Sequence, residues 1–129
     1  MKKCILILSI LVFIFLILEI SKNMWVERKI ILLKNKMNKT SFVWESSVDD
    51  LFEKLQRIAS RNSTVWSLRS QYYFRRMTRA LRDQERLFFA QKSLYFSVRA
   101  LECNPLDQSL RALYHKAYRW WDVLSNTIP

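Results

Sequence analysis

Not one of the chain's 129 residues is glycine. A soluble sequence of this length ordinarily carries about nine. Glycine is the residue that reaches left-handed backbone conformations without strain, so its absence closes off sites built on them. The phosphate-cradling P-loop, the dinucleotide fingerprint, the nucleophile elbow and the EF-hand turn are all excluded. Asn-Gly hairpins are excluded as well. What remains is a chain of helices with few tight turns. One His and two Cys (Cys4 and Cys103) leave no ordinary multi-ligand zinc site. No metal, cofactor or catalytic residue is therefore expected, and the chain does not read as an enzyme with a small-molecule substrate.

The N-terminus carries the next strongest signal. Lys2 and Lys3 precede an apolar run from Cys4 to Ile20, interrupted only by Ser9 and Glu19. At ~1.5 Å per residue this run reaches the lower limit for a membrane-spanning helix. No Ala-x-Ala cleavage pattern follows in Glu19, Ile20, Ser21, Lys22 and Asn23, and Cys4 precedes the run where a lipoprotein cysteine would follow it. The segment reads as an uncleaved signal-anchor contacting membrane lipid through residues 4–20. A cleaved signal peptide and a buried core helix are the alternatives. The expected location is a single-pass position in a bacterial inner membrane.

Orientation is contested within the sequence. The short basic start favours a translocated, extracytoplasmic domain. Lys22, Arg28, Lys29, Lys34, Lys36 and Lys39, just past the span, favour the opposite topology. The extracytoplasmic reading is preferred. Trp25 sits where an interfacial anchor belongs. Met24 to Lys36 reads as a helix with Ile30, Ile31, Leu32 and Leu33 at its apolar centre, continuing the membrane helix outward. Residues 1–36 thus form the anchor and its extension.

Residues 37–46 break the pattern and read as a linker to a helical domain over 47–129. Ser47 opens the first helix of that domain, with Asp50 completing a capping-box-like start. Val48, Leu51, Phe52, Leu55, Ile58 and Ala59 follow at helical spacing, and Asn62-Ser63 end it. A second helix starts near Thr64, with Trp66, Tyr73, Met77, Ala80, Leu81 and Phe88 on one side. Asp83-Gln84-Glu85 mark a turn, the alternative being one long helix from Thr64 to Cys103. A third carries Ala90, Leu94, Val98 and Leu101, and Asn104-Pro105 stops it. Asp107 caps the last, whose stripe is Leu110, Leu113, Tyr114, Ala117, Trp121 and Leu124. The fold class is all-α: an N-terminal transmembrane helix plus a small antiparallel helical domain.

The run Tyr95 to Asp107, with Ala100, Leu101, Asn104 and Pro105, resembles the second helix and exit turn of a tetratricopeptide repeat. Trp66 and Tyr73 resemble the aromatics of that repeat's first helix. The match covers one unit, longer than the repeat's 34 residues. The small residue usual on the repeat's first helix, commonly glycine, has no glycine counterpart here. A generic helical hairpin is the other reading. The resemblance implies an interaction scaffold with protein partners and no chemistry of its own.

The formal net charge is +11, which suits acidic polymers, nucleic acid or anionic head groups. Arg69, Arg75, Arg76, Arg79, Arg82 and Arg86 crowd into one stretch. On a continuous helix Arg75, Arg79, Arg82 and Arg86 fall within an arc of about 60°. That face is the candidate anion- or partner-binding site, with a plain solvated face as the alternative. Tyr118 and Trp120 lie off the stripe of the last helix and are a candidate partner surface. His115 has no carboxylate at helical spacing to orient it as a base. Together these features lead to the expectation of a membrane-anchored adaptor that scaffolds an envelope assembly, such as polysaccharide or secretion machinery, through protein contacts. The alternative is a basic module binding an anionic glycan, nucleic acid or lipid phosphate.

Overall fold

The computed structural model describes residues 2–38 and 46–128. The fold is all-α, and the described residues form five helices in chain order: α1 (Lys2–Asn38), α2 (Ser46–Ile58), α3 (Ser63–Arg79), α4 (Asp83–Cys103) and α5 (Gln108–Thr127). Most of the linker read at 37–46 lies outside the described residues. Met37 and Asn38 belong to α1 and Ser46 to α2.

The first helix is uninterrupted over 37 residues, about 55 Å at the helical rise. Its two halves have different surroundings. Apolar side chains from Ile5 to Ile20 are exposed all round, and the helix is long and apolar enough to cross a membrane. Past it, Val26, Ile30, Leu33 and Met37 repeat at helical spacing and are buried. They share one core cluster with Val48, Phe52 and Leu55 of α2 and Val65, Leu68, Tyr72 and Tyr73 of α3. Ile31 and Leu32 point outward, so only half of the expected apolar centre enters the core.

Sequential helices pack antiparallel where side-chain pairs fix the register. Asp49 meets Tyr73, and Gln56 meets Arg69, pairing the start of α2 with the later half of α3. Trp66 faces Phe96 and Tyr73 faces Phe89, which pairs α3 with α4 in opposite directions. A second cluster joins Met77, Ala90 and Leu124 of α3, α4 and α5, with Leu87, Trp121 and Ile128 against it.

Helix ends follow capping chemistry. Asn62 does not end α2 but caps α3, its side chain accepting from the Thr64 and Val65 amides. Asp107 caps α5 in the same way, through Ser109 and Leu110. The α3–α4 break falls at Ala80–Arg82, three residues before the expected turn, and rules out one continuous helix from Thr64 to Cys103. Ala80 and Arg82 both adopt extended backbone. Asp83 and Glu85 lie in the first turn of α4, where acidic side chains oppose the positive end of the helix dipole.

Two stripes differ from expectation. Leu81, in the break, is 97% exposed, and Phe88 is 51% exposed. On α4 the buried residues are Ala90, Ser93, Phe96, Ser97 and Ala100. Leu94 and Leu101 are half-buried and Val98 is exposed. The face turned to α3 combines Phe96, stacked on Tyr73, with small residues that admit a neighbouring helix closely, and not with the leucines.

Candidate functional site

The arginines of α3 and its surroundings divide into two groups. Arg69 is buried against the face of Phe96, its guanidinium carbon 4.4 Å from the ring centroid, and donates to Gln56 Oε1. Arg76 lies 4.1 Å over the Phe89 ring. Burial pushes its pKa down, opposed by the phenols Tyr72 and Tyr73 and by Asp49. Arg75 donates through Nη1 to the backbone carbonyl of Met37. That carbonyl belongs to the last turn of α1, where the helix itself offers no amide donor. These three arginines hold helices together.

The second group flanks the α3–α4 break. Arg79 is exposed in the last turn of α3, Arg82 is exposed in the connection, and Arg86 is half-buried on α4, 3.8 Å from Asp83. A shared arc for Arg75, Arg79, Arg82 and Arg86 requires one continuous helix. The break spreads these four over α3, the turn and α4. Exposed Leu81 sits between Arg79 and Arg82.

Tyr118 and Trp120 are 44% and 40% exposed. Trp120 meets Phe74 of α3 edge-on at 6.5 Å, with Lys116 4.5 Å over the same Phe74 ring. Tyr118 lies between Tyr114 and Trp121 on its own helix. Trp120 therefore helps seat α5 on α3, and Tyr118 faces outward. Trp25 is half-buried against the main core cluster, with Lys29 Nζ 5.6 Å from its ring.

One region escaped the sequence reading. Beside Trp66 is an open cleft of about 480 Å³, lined by Glu53, Gln56, Arg57, Ser60, Trp66 and Arg69. A smaller one of about 260 Å³ shares Ser60 and Trp66 with it and reaches Tyr95, Arg99 and Cys103. The Ser60 carbonyl ties the two walls, accepting from Trp66 Nε1 at 2.7 Å and from Cys103 Sγ at 3.8 Å. Arg99 is occupied by Tyr95 and Glu102; these contacts raise its pKa. No sequence motif marks these clefts, because they assemble from three helices.

Among the described residues, no three His, Cys, Asp or Glu side chains converge as metal ligands. Tyr73 donates to Asp49 Oδ1 at 3.0 Å. Burial, reinforced by Asp49, raises the Tyr73 pKa, so the phenol keeps its proton at neutral pH. The pair is a half-buried tie between helices. No protein-family model, curated protein or solved structure matches this chain.

Proposed function

We propose that this chain is a single-pass membrane protein whose helical domain serves as an adaptor, scaffolding an envelope assembly through protein–protein contacts. The supporting observation is the double character of α1. Its first half offers lipid an apolar surface on every side, and its second half is a core element of the folded domain. A span joined so directly to a domain holds that domain at the membrane. The hairpin of α3 and α4, followed by α5, has the order of a tetratricopeptide unit and its following helix, which supports the scaffold reading by analogy of form alone. In this reading the domain lies on the extracytoplasmic side of a bacterial inner membrane.

The test is site-specific photo-crosslinking in native membranes, with the probe at Leu81 or Tyr118. Both are exposed and neither is needed for the core. The adaptor reading expects adducts with a distinct protein at one of these positions. Adducts with the chain itself alone, or none, overturn it. A reporter fused after Pro129 decides the orientation separately.

A second reading rests on Arg79 and Arg82, both exposed beside the α3–α4 break. They suit an anionic glycan or nucleic acid. That reading expects binding that falls steeply with salt and weakens in Arg79→Gln, Arg82→Gln. Salt-insensitive binding removes it.

A further inference from the structure

We propose that one pole of the helical domain, formed by the α2–α3 and α4–α5 connections, lies on the surface of the bilayer that holds α1. In this arrangement Leu106 dips into the head-group layer, and Arg57 and Arg61 face lipid phosphates. The inference rests on the anchored reading above.

The first argument is distance. The exposed apolar stretch of α1 ends at Ile20, and the helix continues without a break. At 1.5 Å per residue, Val26 lies only ~9 Å beyond Ile20. The head-group layer on each side of a bilayer is itself about 5–8 Å thick. Val26 is 5% exposed and belongs to the domain's core. The core thus begins where the head groups end, and an ordinary helix tilt of about 20° changes this by under 1 Å.

The second argument is register, which decides the pole that faces the membrane. Met37, at the far end of α1, is ~25 Å beyond Ile20. Arg75 of α3 holds its carbonyl, and neighbouring Tyr73 holds Asp49 near the start of α2. The start of α2 and the end of α3 therefore belong to the membrane-distal pole. The buried stripe on α1 runs back from Met37 to Val26. With the start of α2 and the end of α3 at the far end, the antiparallel order brings the cluster members at the other ends of these helices, Leu55 of α2 and Val65 and Leu68 of α3, toward its near end. These lie toward the end of α2 and the start of α3, and so toward the bilayer. The Ser60 carbonyl ties this pole to Trp66 and to Cys103 at the end of α4. The turn into α5 follows at once.

The third argument is what that pole displays. Leu106 is 82% exposed in the α4–α5 connection, and Pro105 beside it is exposed. Arg57 and Arg61 are exposed at the α2–α3 connection. Arg111 is exposed as well, its Nε on the Pro105 carbonyl at 3.0 Å. An exposed leucine on a pole that also carries exposed arginines suits the boundary between phosphate and acyl chain. Leu81, the other nearly fully exposed leucine, sits with Arg79 and Arg82 at the opposite pole, beyond the ~8–10 Å reach of unscreened surface charge. It remains available to a partner.

The test uses the full chain carrying Cys4→Ser and Cys103→Ser, with Leu106→Cys or Leu81→Cys labelled with an environment-sensitive fluorophore. Each protein is reconstituted into vesicles of phosphatidylcholine and phosphatidylglycerol containing lipids with a head-group-proximal spin label. Quenching several-fold stronger at position 106 than at 81 is expected. Adding Arg57→Gln and Arg61→Gln should lessen it. Equal quenching at the two positions, or stronger quenching at 81, overturns the proposal while the protein still floats with the vesicles. Failure to float, or release by alkaline carbonate, overturns the anchored reading itself and the proposal with it.

Discussion

Ser70 of α3 and Ser93 of α4 exchange hydrogen bonds across the helix pair. Ser70 Oγ donates to the Ser93 carbonyl at 2.8 Å, and Ser93 Oγ donates to the Ser70 carbonyl at 3.0 Å. Both residues are fully buried. The hydroxyls, 3.2 Å apart, reach the neighbouring backbone only because both side chains are short. Ser97 and Ala100 extend the same small-residue face along α4. In a chain without glycine, serine and alanine let these two helices approach, and serine adds a reciprocal bond that glycine cannot make.

Changing Ser93 to Leu should therefore cost more than ordinary overpacking. Added volume alone costs about 1–3 kcal/mol, and here it also separates two hydrogen-bonded backbones. Ser70→Ala and Ser93→Ala should each cost about 1 kcal/mol. A double-mutant cycle by denaturant unfolding in detergent should show coupling between them. Additive alanine effects would mean the two bonds act independently.

The same pair explains which parts of the fold could be read from residues. On α2 and α5, large apolar residues and charges fall on opposite faces, so helical spacing alone identifies Phe52, Leu55, Leu110, Ala117 and Leu124, all buried. On α4 the inward face, Phe96 apart, is small and partly polar, while Phe88, Tyr95 and Val98 face out. Lys92 and Arg99 cover the Phe88 and Tyr95 rings, so hydrophobicity pointed the wrong way. The α3–α4 break carries neither glycine nor proline, and its only local sign was the acidic pair Asp83 and Glu85, which starts a helix as readily as it marks a turn. The candidate site suffered for that reason. A row of arginines on a continuous helix is a surface, but Arg75 sits on the Met37 carbonyl 38 residues away in sequence, a contact no local pattern can announce.

The later half of α1 should behave as part of the domain. Leu33 is fully buried in the main core, while Leu32 next to it is 41% exposed. Leu33→Ala should cost about 2–5 kcal/mol, and Leu32→Ala should stay within about 0.5 kcal/mol. A chain beginning at Ser21 should still unfold cooperatively, whereas one beginning at Ser46 should bind hydrophobic dyes and lose its sharp transition. Thermal unfolding followed by circular dichroism checks all four. A cooperative transition for the chain beginning at Ser46 would show that the α2–α3 core closes without α1.

The start of α5 should be acid-sensitive. Asp107 Oδ1 accepts from the Ser109 hydroxyl at 2.6 Å and amide at 2.8 Å, and from the Leu110 amide at 3.3 Å. The Ser109 hydroxyl, followed by its amide, holds the carboxyl below its ordinary value of 3.8. A depressed pKa means the native state binds the proton less readily than the unfolded state. The stabilisation is complete above that ordinary value and is lost as pH falls through the lowered one. Asp107→Asn keeps an acceptor without the titration, so its unfolding temperature should fall less steeply over this acid range. A parallel decline in both proteins would assign acid sensitivity to other carboxylates.

Arg75 should act through stability before it acts in any binding reaction. Its half-buried guanidinium donates to the Met37 carbonyl in the last turn of α1. A cation there also opposes the negative end of the helix dipole. Hydrogen bonds to a charged group contribute about 1.5–3 kcal/mol when sheltered, and partial exposure reduces this through solvent screening. Arg75→Ala should therefore cost about 1–2 kcal/mol and speed amide exchange in residues 34–38. Arg82 is exposed, and its side chain makes no capping bond to α4, so Arg82→Ala should change stability by less than about 0.5 kcal/mol. If a polyanion binds this pole, Arg82→Ala should weaken it without altering exchange in α1, whereas Arg75→Ala should alter exchange even with no ligand present. The opposite pattern, with Arg75→Ala as stable as the parent and selectively defective in polyanion binding, would return Arg75 to the binding surface.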